Sequence, residues 1–244
     1  MTMKKILFAI TLLMLAMTAH AKTLIVYYSY TNNVERIVNE LSTQIEADVI
    51  EVEPAEKGLD YAANNYAIGS AQIAAIRNKP NDASSYPAID PVSVDLSQYS
   101  TIIIGAPLWW SNMAAPLQTL LFLHGKDMAG KNIGLIVSSA SSGISGVESD
   151  AKRLIPNGKF LSPSLWIRSS QISNAKSLLQ NWLQAIDYSN LTSSIENIEQ
   201  DNNRSVMVYS LSGVRLLANA EAIATLPAGL YIINGKKTLV TRCE

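Results

Sequence analysis

The sequence predicts an α/β fold: a five-stranded parallel sheet with helices on both faces, followed by a small all-β tail. Three observations carry this. Between Lys22 and Asp187, short apolar runs alternate with segments whose apolar residues recur at helical spacing. The apolar runs are rich in Ile and Val and lack in–out alternation, as expected of strands buried on both faces. After Asp187 the composition turns polar, and the chain then ends in short β-rich runs about turns.

The elements follow in order. "MTMKKILFAITLLMLAMTAHAKT" opens the chain. Lys4 and Lys5 precede an apolar core, Ile6 to Met17, too short to span a bilayer, and Ala19-His20-Ala21 has the small-x-small form that signal peptidase cuts. Residues 1–21 are read as a secretory signal peptide. The protein is therefore expected to be exported, to the periplasm or cell envelope or beyond, with no stable membrane span after cleavage. "TLIVYY" is the first strand, and Val34, Ile37, Val38, Leu41 and Ile45 mark the first helix. "DVIEV" at 48–52 is the second strand. "LDYAANNYAIGSAQIAAIRN" reads as helix, and the polar, proline-marked 79–98 as loop. "TIIIGAP" at 101–107 is the third strand, expected to stop at Gly105 and Pro107, with two tryptophans in the loop beyond. Pro116 begins the next helix, where its missing N–H costs nothing. "NIGLIVSSA" and the run around "SLWI" at 164–167 are the fourth and fifth strands. Ala175, Leu178, Leu179, Trp182, Leu183 and Ile186 form the apolar stripe of the last helix.

Residues 22–187 thus make one α/β domain. Residues 188–204 are polar and read as a linker, and 205–244 as a small β tail. In the tail, "VMVYSLSGVRLL" gives two short strands about a turn, and Asn234-Gly235 between β-rich runs is a strong hairpin signal.

Composition excludes several functions. The net charge of −1, without a basic run, argues against nucleic-acid binding. The single cysteine, Cys243, rules out an internal disulfide. With His20 removed, His124 is the one histidine left, so no histidine-rich metal site exists. A Ser-His-Asp triad would need His124, which reads as the end of a helix, and Ser145 lies in "GISG" rather than in a nucleophile elbow. A phospho-receiver domain would need an acidic pair at the end of the first strand, which is missing.

In open α/β sheets, ligands bind beyond the carboxyl ends of the strands. Three segments fall there. "SYTNNV", 29–34, is a turn into a helix, where backbone N–H groups converge and favour an anion. Ser29 and Thr31 add hydroxyls, and Asn32 tolerates the left-handed conformation such a turn requires. "GAPLWWSNMAAP", 105–116, carries adjacent tryptophans, which cannot easily point the same way, so one is free to stack on a flat ligand. "SSASSGISG", 138–146, is small enough for its backbone to approach a ligand edge.

These stretches, "YYSYTNNV", "GAPLWW" and "SSASSG", resemble the flavodoxin family, whose signatures run near Y-Y-S-x-T-G-N-T, G-x-P-x-W-W and S-G-G-S-G. The resemblance covers roughly 22–187. It implies a flavodoxin-like three-layer sandwich with strand order 2-1-3-4-5 and FMN as the cofactor. Carried over by position, Ser29, Thr31, Asn32, Asn33 and Val34 would surround the phosphate. Pro107, Leu108, Trp109 and Trp110 would flank the isoalloxazine, and Ser139, Ala140, Ser141 and Gly143 would meet its other side or edge. Asn32 stands for the family's glycine, Val34 for its threonine, and Ala140-Ser141 for its glycine pair. The resemblance implies electron transfer, or flavin-dependent reduction of a small acceptor such as a quinone, with a redox partner protein or a small-molecule acceptor. No side chain need act as acid or base. The other reading is a non-catalytic module that keeps the fold without FMN. The tail resembles short C-terminal β modules that act as sorting signals on exported Bacteroidetes proteins.

Overall fold

The computed structural model describes residues 22–192, 208–210, 215–217, 226–233 and 236–240. The expected signal peptide and most of the expected linker lie outside these residues.

The large sheet contains β1 (Lys22–Tyr27), β2 (Asp48–Glu51), β3 (Tyr99–Trp109), β4 (Asn112–Met113), β5 (Asn132–Ser139), β6 (Lys159–Phe160) and β7 (Leu165–Arg168). Its order is β2-β1-β3-β5-β6, with β7 also paired to β5 and β4 to β3. All these pairs are parallel except the β3–β4 hairpin. β6 and β7 pair with the start and the end of β5, so they are two pieces of one fifth strand. The expected order 2-1-3-4-5 is therefore the observed one.

Side chains alternate across the sheet and build two cores. Leu24, Val26, Ile102, Ile104, Leu135 and Val137 pack with α2 (Ala63–Asn78), α3 (Ala115–His124) and α4 (Ser145–Leu154). Ile25, Ile103 and Ile136 face α1 (Asn33–Ser42) and α5 (Ala175–Ala185), whose Val34, Ile37, Val38, Leu41, Leu179 and Trp182 are buried. Each such aliphatic side chain contributes about 1.5–3 kcal/mol by leaving water. Gly134 lets Trp182 approach β5 closely, since a Cβ there would be 3.1 Å from the ring.

Two expectations are corrected. β3 does not stop at Gly105 and Pro107 but runs on to Trp109 and folds back through β4. The proline is tolerated because it lies near the end of the strand, where its carbonyl accepts a hydrogen bond from Ala114 N (3.1 Å). The polar stretch after Asp187 begins with a short helix, α6 (Tyr188–Thr192), rather than a linker. It docks through a 2.8 Å hydrogen bond between the hydroxyls of Tyr188 and buried Thr23, at the start of β1. Tyr188→Phe is expected to cost about 1 kcal/mol by leaving Thr23 unpaired. A lower urea midpoint at unchanged slope is the measurement.

Near the C-terminus, β8 (Val208–Tyr209), β9 (Arg215–Leu217), β10 (Gly229–Ile233) and β11 (Lys236–Val240) form a separate antiparallel sheet of order β11-β10-β8-β9. Ile233 pairs with Lys236, and the turn expected at Asn234-Gly235 lies outside the described residues. Val208, Leu226 and Ile233 form its small core.

Candidate functional site

The carboxyl ends of β1, β3 and β5 open into a cleft of about 790 Å3, within the range of cofactor pockets. Its first wall is the turn between β1 and α1. Asn32 is left-handed (φ 60°, ψ 5°), as its residue type permits, and α1 begins at the next residue. The local hydrogen bonds are few. Glu35 N donates to Ser29 Oγ (3.2 Å), Arg36 N to Asn32 O (3.0 Å) and Asn33 Nδ2 to Thr31 Oγ1 (3.4 Å). The N–H groups of Thr31, Asn32, Asn33 and Val34 carry no hydrogen bond among the described residues. A run of free N–H groups at a helix start is an anion cradle. Val34 contributes its N–H there, but its side chain, 2 % exposed, also packs inward over Gly105.

The second wall is the β3–β4 hairpin. Trp109 is half-buried and meets Tyr28 edge-on (5.6 Å, 88°) and Tyr61 at a tilt (4.8 Å, 49°). Trp110 stands 6.4 Å from Trp109 at 82° and is 40 % exposed. The two rings diverge, one toward the protein and one toward the mouth of the cleft. Both line it, with Pro107 and Leu108.

The third wall comes from the end of β5. Ser138 and Ser139 are buried, Ala140 is exposed, and all three line the cleft with Ser169. Ser139 Oγ accepts a hydrogen bond from Trp166 Nε1 (2.8 Å) and still has its own proton to donate. Asn32, Ser141 and Gly143 lie outside the lining. Gly143 is left-handed (φ 74°) and faces open space.

A fourth wall was not read from the sequence. Tyr30, Tyr61, Ala62, Tyr66 and Gly69 close the cleft on the α2 side. The Tyr30 hydroxyl donates to Asp60 Oδ1 (3.2 Å) and accepts from Ala62 N (3.0 Å), which ties the β1–α1 turn to this segment. Asn64, Asn65 and Tyr66 are all left-handed (φ 50°, 55° and 62°), so regular helix starts after them. The paired asparagines in "AANNYA" were the available signal. Burial raises the phenol pKa of Tyr28 and of Tyr61, and for Tyr28 the neighbouring Tyr61 adds to this. Both therefore remain neutral at physiological pH.

No lining residue is charged. Among the described residues no group of His, Cys, Asp and Glu could hold a metal ion, and no helix is long and apolar enough to cross a membrane. His124 ends α3, as expected.

The comparisons with known proteins agree with this architecture. A protein-family model described as Flavodoxin matches residues 22–186. Among solved structures, a protein from Bacteroides eggerthii classed as a flavoprotein has TM-score 0.54 and 22 % identity, covering 68 % of this chain and 98 % of its own. A second, from Bacteroides uniformis, has TM-score 0.52 and 24 % identity, covering 66 % and 98 %. A flavoprotein from Lactobacillus acidophilus, solved in complex with FMN, has TM-score 0.49 and 23 % identity, covering 63 % and 97 %. Among curated proteins there is no significant match.

Proposed function

This chain belongs to the flavodoxin family, and from that premise we propose that it is an exported FMN-binding flavoprotein that passes electrons to a small flat acceptor such as a quinone. The observation that carries the FMN assignment is the row of four N–H groups at residues 31–34 without a hydrogen bond among the described residues, in a turn whose Thr31, Asn33 and Val34 line the cleft together with two tryptophans. The cradle suits a phosphate, and the aromatic walls suit a ring system.

In this reading the backbone of Thr31–Val34, with the hydroxyls of Ser29 and Thr31, would hold the phosphate. The dianion would meet neutral donors and the positive end of α1 rather than a lysine or arginine. Pro107, Leu108, Trp109 and Trp110 would flank the ring, and Ser138, Ser139 and Ala140 would meet its edge. FMN supplies the redox chemistry when bound, while the chain sets its position and excludes water. The quinone-class acceptor is supported by Tyr66, 51 % exposed, beside Trp110 at the mouth (6.5 Å, 73°). These rings offer a flat guest a place to stack. A redox partner protein would use the same opening. Export rests on the leader-like residues 1–21.

Titration of the purified full chain with FMN and with riboflavin tests this. A flavin absorbance spectrum and tighter binding of FMN are expected. No binding of either flavin would favour a module that keeps the fold without the cofactor. Trp109→Ala and Trp110→Ala should each be made. Aromatic stacking contributes roughly 1–3 kcal/mol per contact, so at least one is expected to weaken FMN by about fivefold or more. Unchanged affinity in both would make the tryptophans packing residues only.

A further inference from the structure

The turn that presents the tryptophans is built from the wrong residues. Trp110 (φ 46°) and Ser111 (φ 64°) are both left-handed, between strand pairs Trp109↔Asn112 and Leu108↔Met113. A two-residue hairpin with positive φ at both positions ordinarily uses Asn-Gly. A bulky tryptophan there is an outlier that persists only when its surroundings over-determine it.

The surroundings do so from two sides. From α2, the Arg77 guanidinium donates to the Trp110 carbonyl, and its Nε donates to Asn112 Oδ1 (2.6 Å). From α4, Asp150 accepts at one oxygen from both Asn112 Nδ2 (2.8 Å) and Met113 N (3.0 Å). Its other oxygen meets Arg153 (3.1 Å). Arg153 also donates to Gln118 Oε1 (2.8 Å), and Gln118 Nε2 donates to Met113 O (2.7 Å). Asp150 is 6 % exposed and Gln118 1 %. A buried carboxylate with three donors is costly to assemble and costly to break, which suits a fixed geometry rather than a surface tether. None of these five side chains lines the cleft.

We propose that Arg77 and Asp150 are positioning residues: together they clamp the left-handed Trp110–Ser111 turn and so set the angle at which Trp109 and Trp110 face the cofactor. The inference rests on the cleft being the flavin site. It assigns the control of ring stacking to residues on two helices behind the hairpin, outside the cleft itself.

The test uses the full chain with Arg77→Met and Asp150→Asn. Arg77 is exposed, so Arg77→Met keeps the fold. Asp150→Asn keeps the shape but turns an amide toward Arg153. The first readout needs no flavin. Two indoles 6.4 Å apart at 82° give an exciton couplet in far-ultraviolet circular dichroism, which depends on their mutual angle. The couplet is expected to weaken in both variants. FMN and riboflavin are expected to lose affinity by the same factor, about fivefold or more, because the hairpin meets the ring and not the phosphate. An unchanged couplet in folded Arg77→Met overturns the proposal, whatever the flavin result. A changed couplet with FMN weakened and riboflavin unaffected also overturns it, since the effect would then reach the phosphate. A wild type that binds no flavin overturns the flavin reading instead, and the couplet alone then decides whether the clamp sets the tryptophans.

Discussion

Gly146→Ala is expected to destabilise the protein by about 3 kcal/mol, at the upper end of what overpacking costs. A Cβ at position 146 would lie 1.7 Å from the Ser111 carbonyl oxygen. The obstacle is backbone, with no flexible side-chain end to swing aside. Either α4 must retreat or the Trp110–Ser111 turn must open, and the clamp through Asp150 resists both. Gly143→Ala is the control. Unlike helical Gly146 it is left-handed, but its added methyl faces open space, so its cost is a backbone term of about 1–2 kcal/mol with no clash. Urea unfolding of the two variants separates these costs. Equal losses would mean that the packing of α4 against the hairpin contributes nothing.

Val34→Thr is expected to tighten FMN by about 10- to 150-fold while leaving riboflavin nearly unchanged. The turn already offers backbone donors and a left-handed Asn32, and it lacks a hydroxyl at the position where the family carries threonine. A hydrogen bond to a charged group contributes roughly 1.5–3 kcal/mol. Threonine is close to valine in shape, and its χ1 has two accessible wells in a helix. One methyl of Val34 is held against Gly105, so the hydroxyl is expected to take the other branch, toward the cradle. Riboflavin has no phosphate and reports any general effect on packing. A matching change for both flavins, or none for FMN, would place the phosphate elsewhere.

Much of the fold was legible because burial on both faces leaves a plain trace. The Ile- and Val-rich runs of β1, β3 and β5 carry it, and so does the stripe of α5. The three loops followed, since a ligand cleft in this topology lies where those strands end. The extension of β3 was missed because Pro107 normally ends a strand. It is admitted here near the strand's end, where a hairpin partner and the chain beyond supply the other bonds. The α2 wall was missed for a different reason. Tyr61, Tyr66 and Gly69 sit in a stretch whose periodicity says helix, and the left-handed Asn64–Tyr66 that re-aims it is a local event with no period. The pairing of Arg77 with Asn112 and of Asp150 with Met113 joins residues far apart in sequence, so only the folded chain brings them together.

The hydrogen bond between Thr23 and Tyr188 bears on how the molecule is mounted. It joins the first residues of β1 to the helix that follows α5, so the α/β unit is entered and left at one pole. That pole is the amino end of β1, while the cleft opens at the carboxyl ends of the strands. The two ends of the unit therefore meet at the pole opposite the cleft, and the aromatic mouth is separated from both by the length of the central strands.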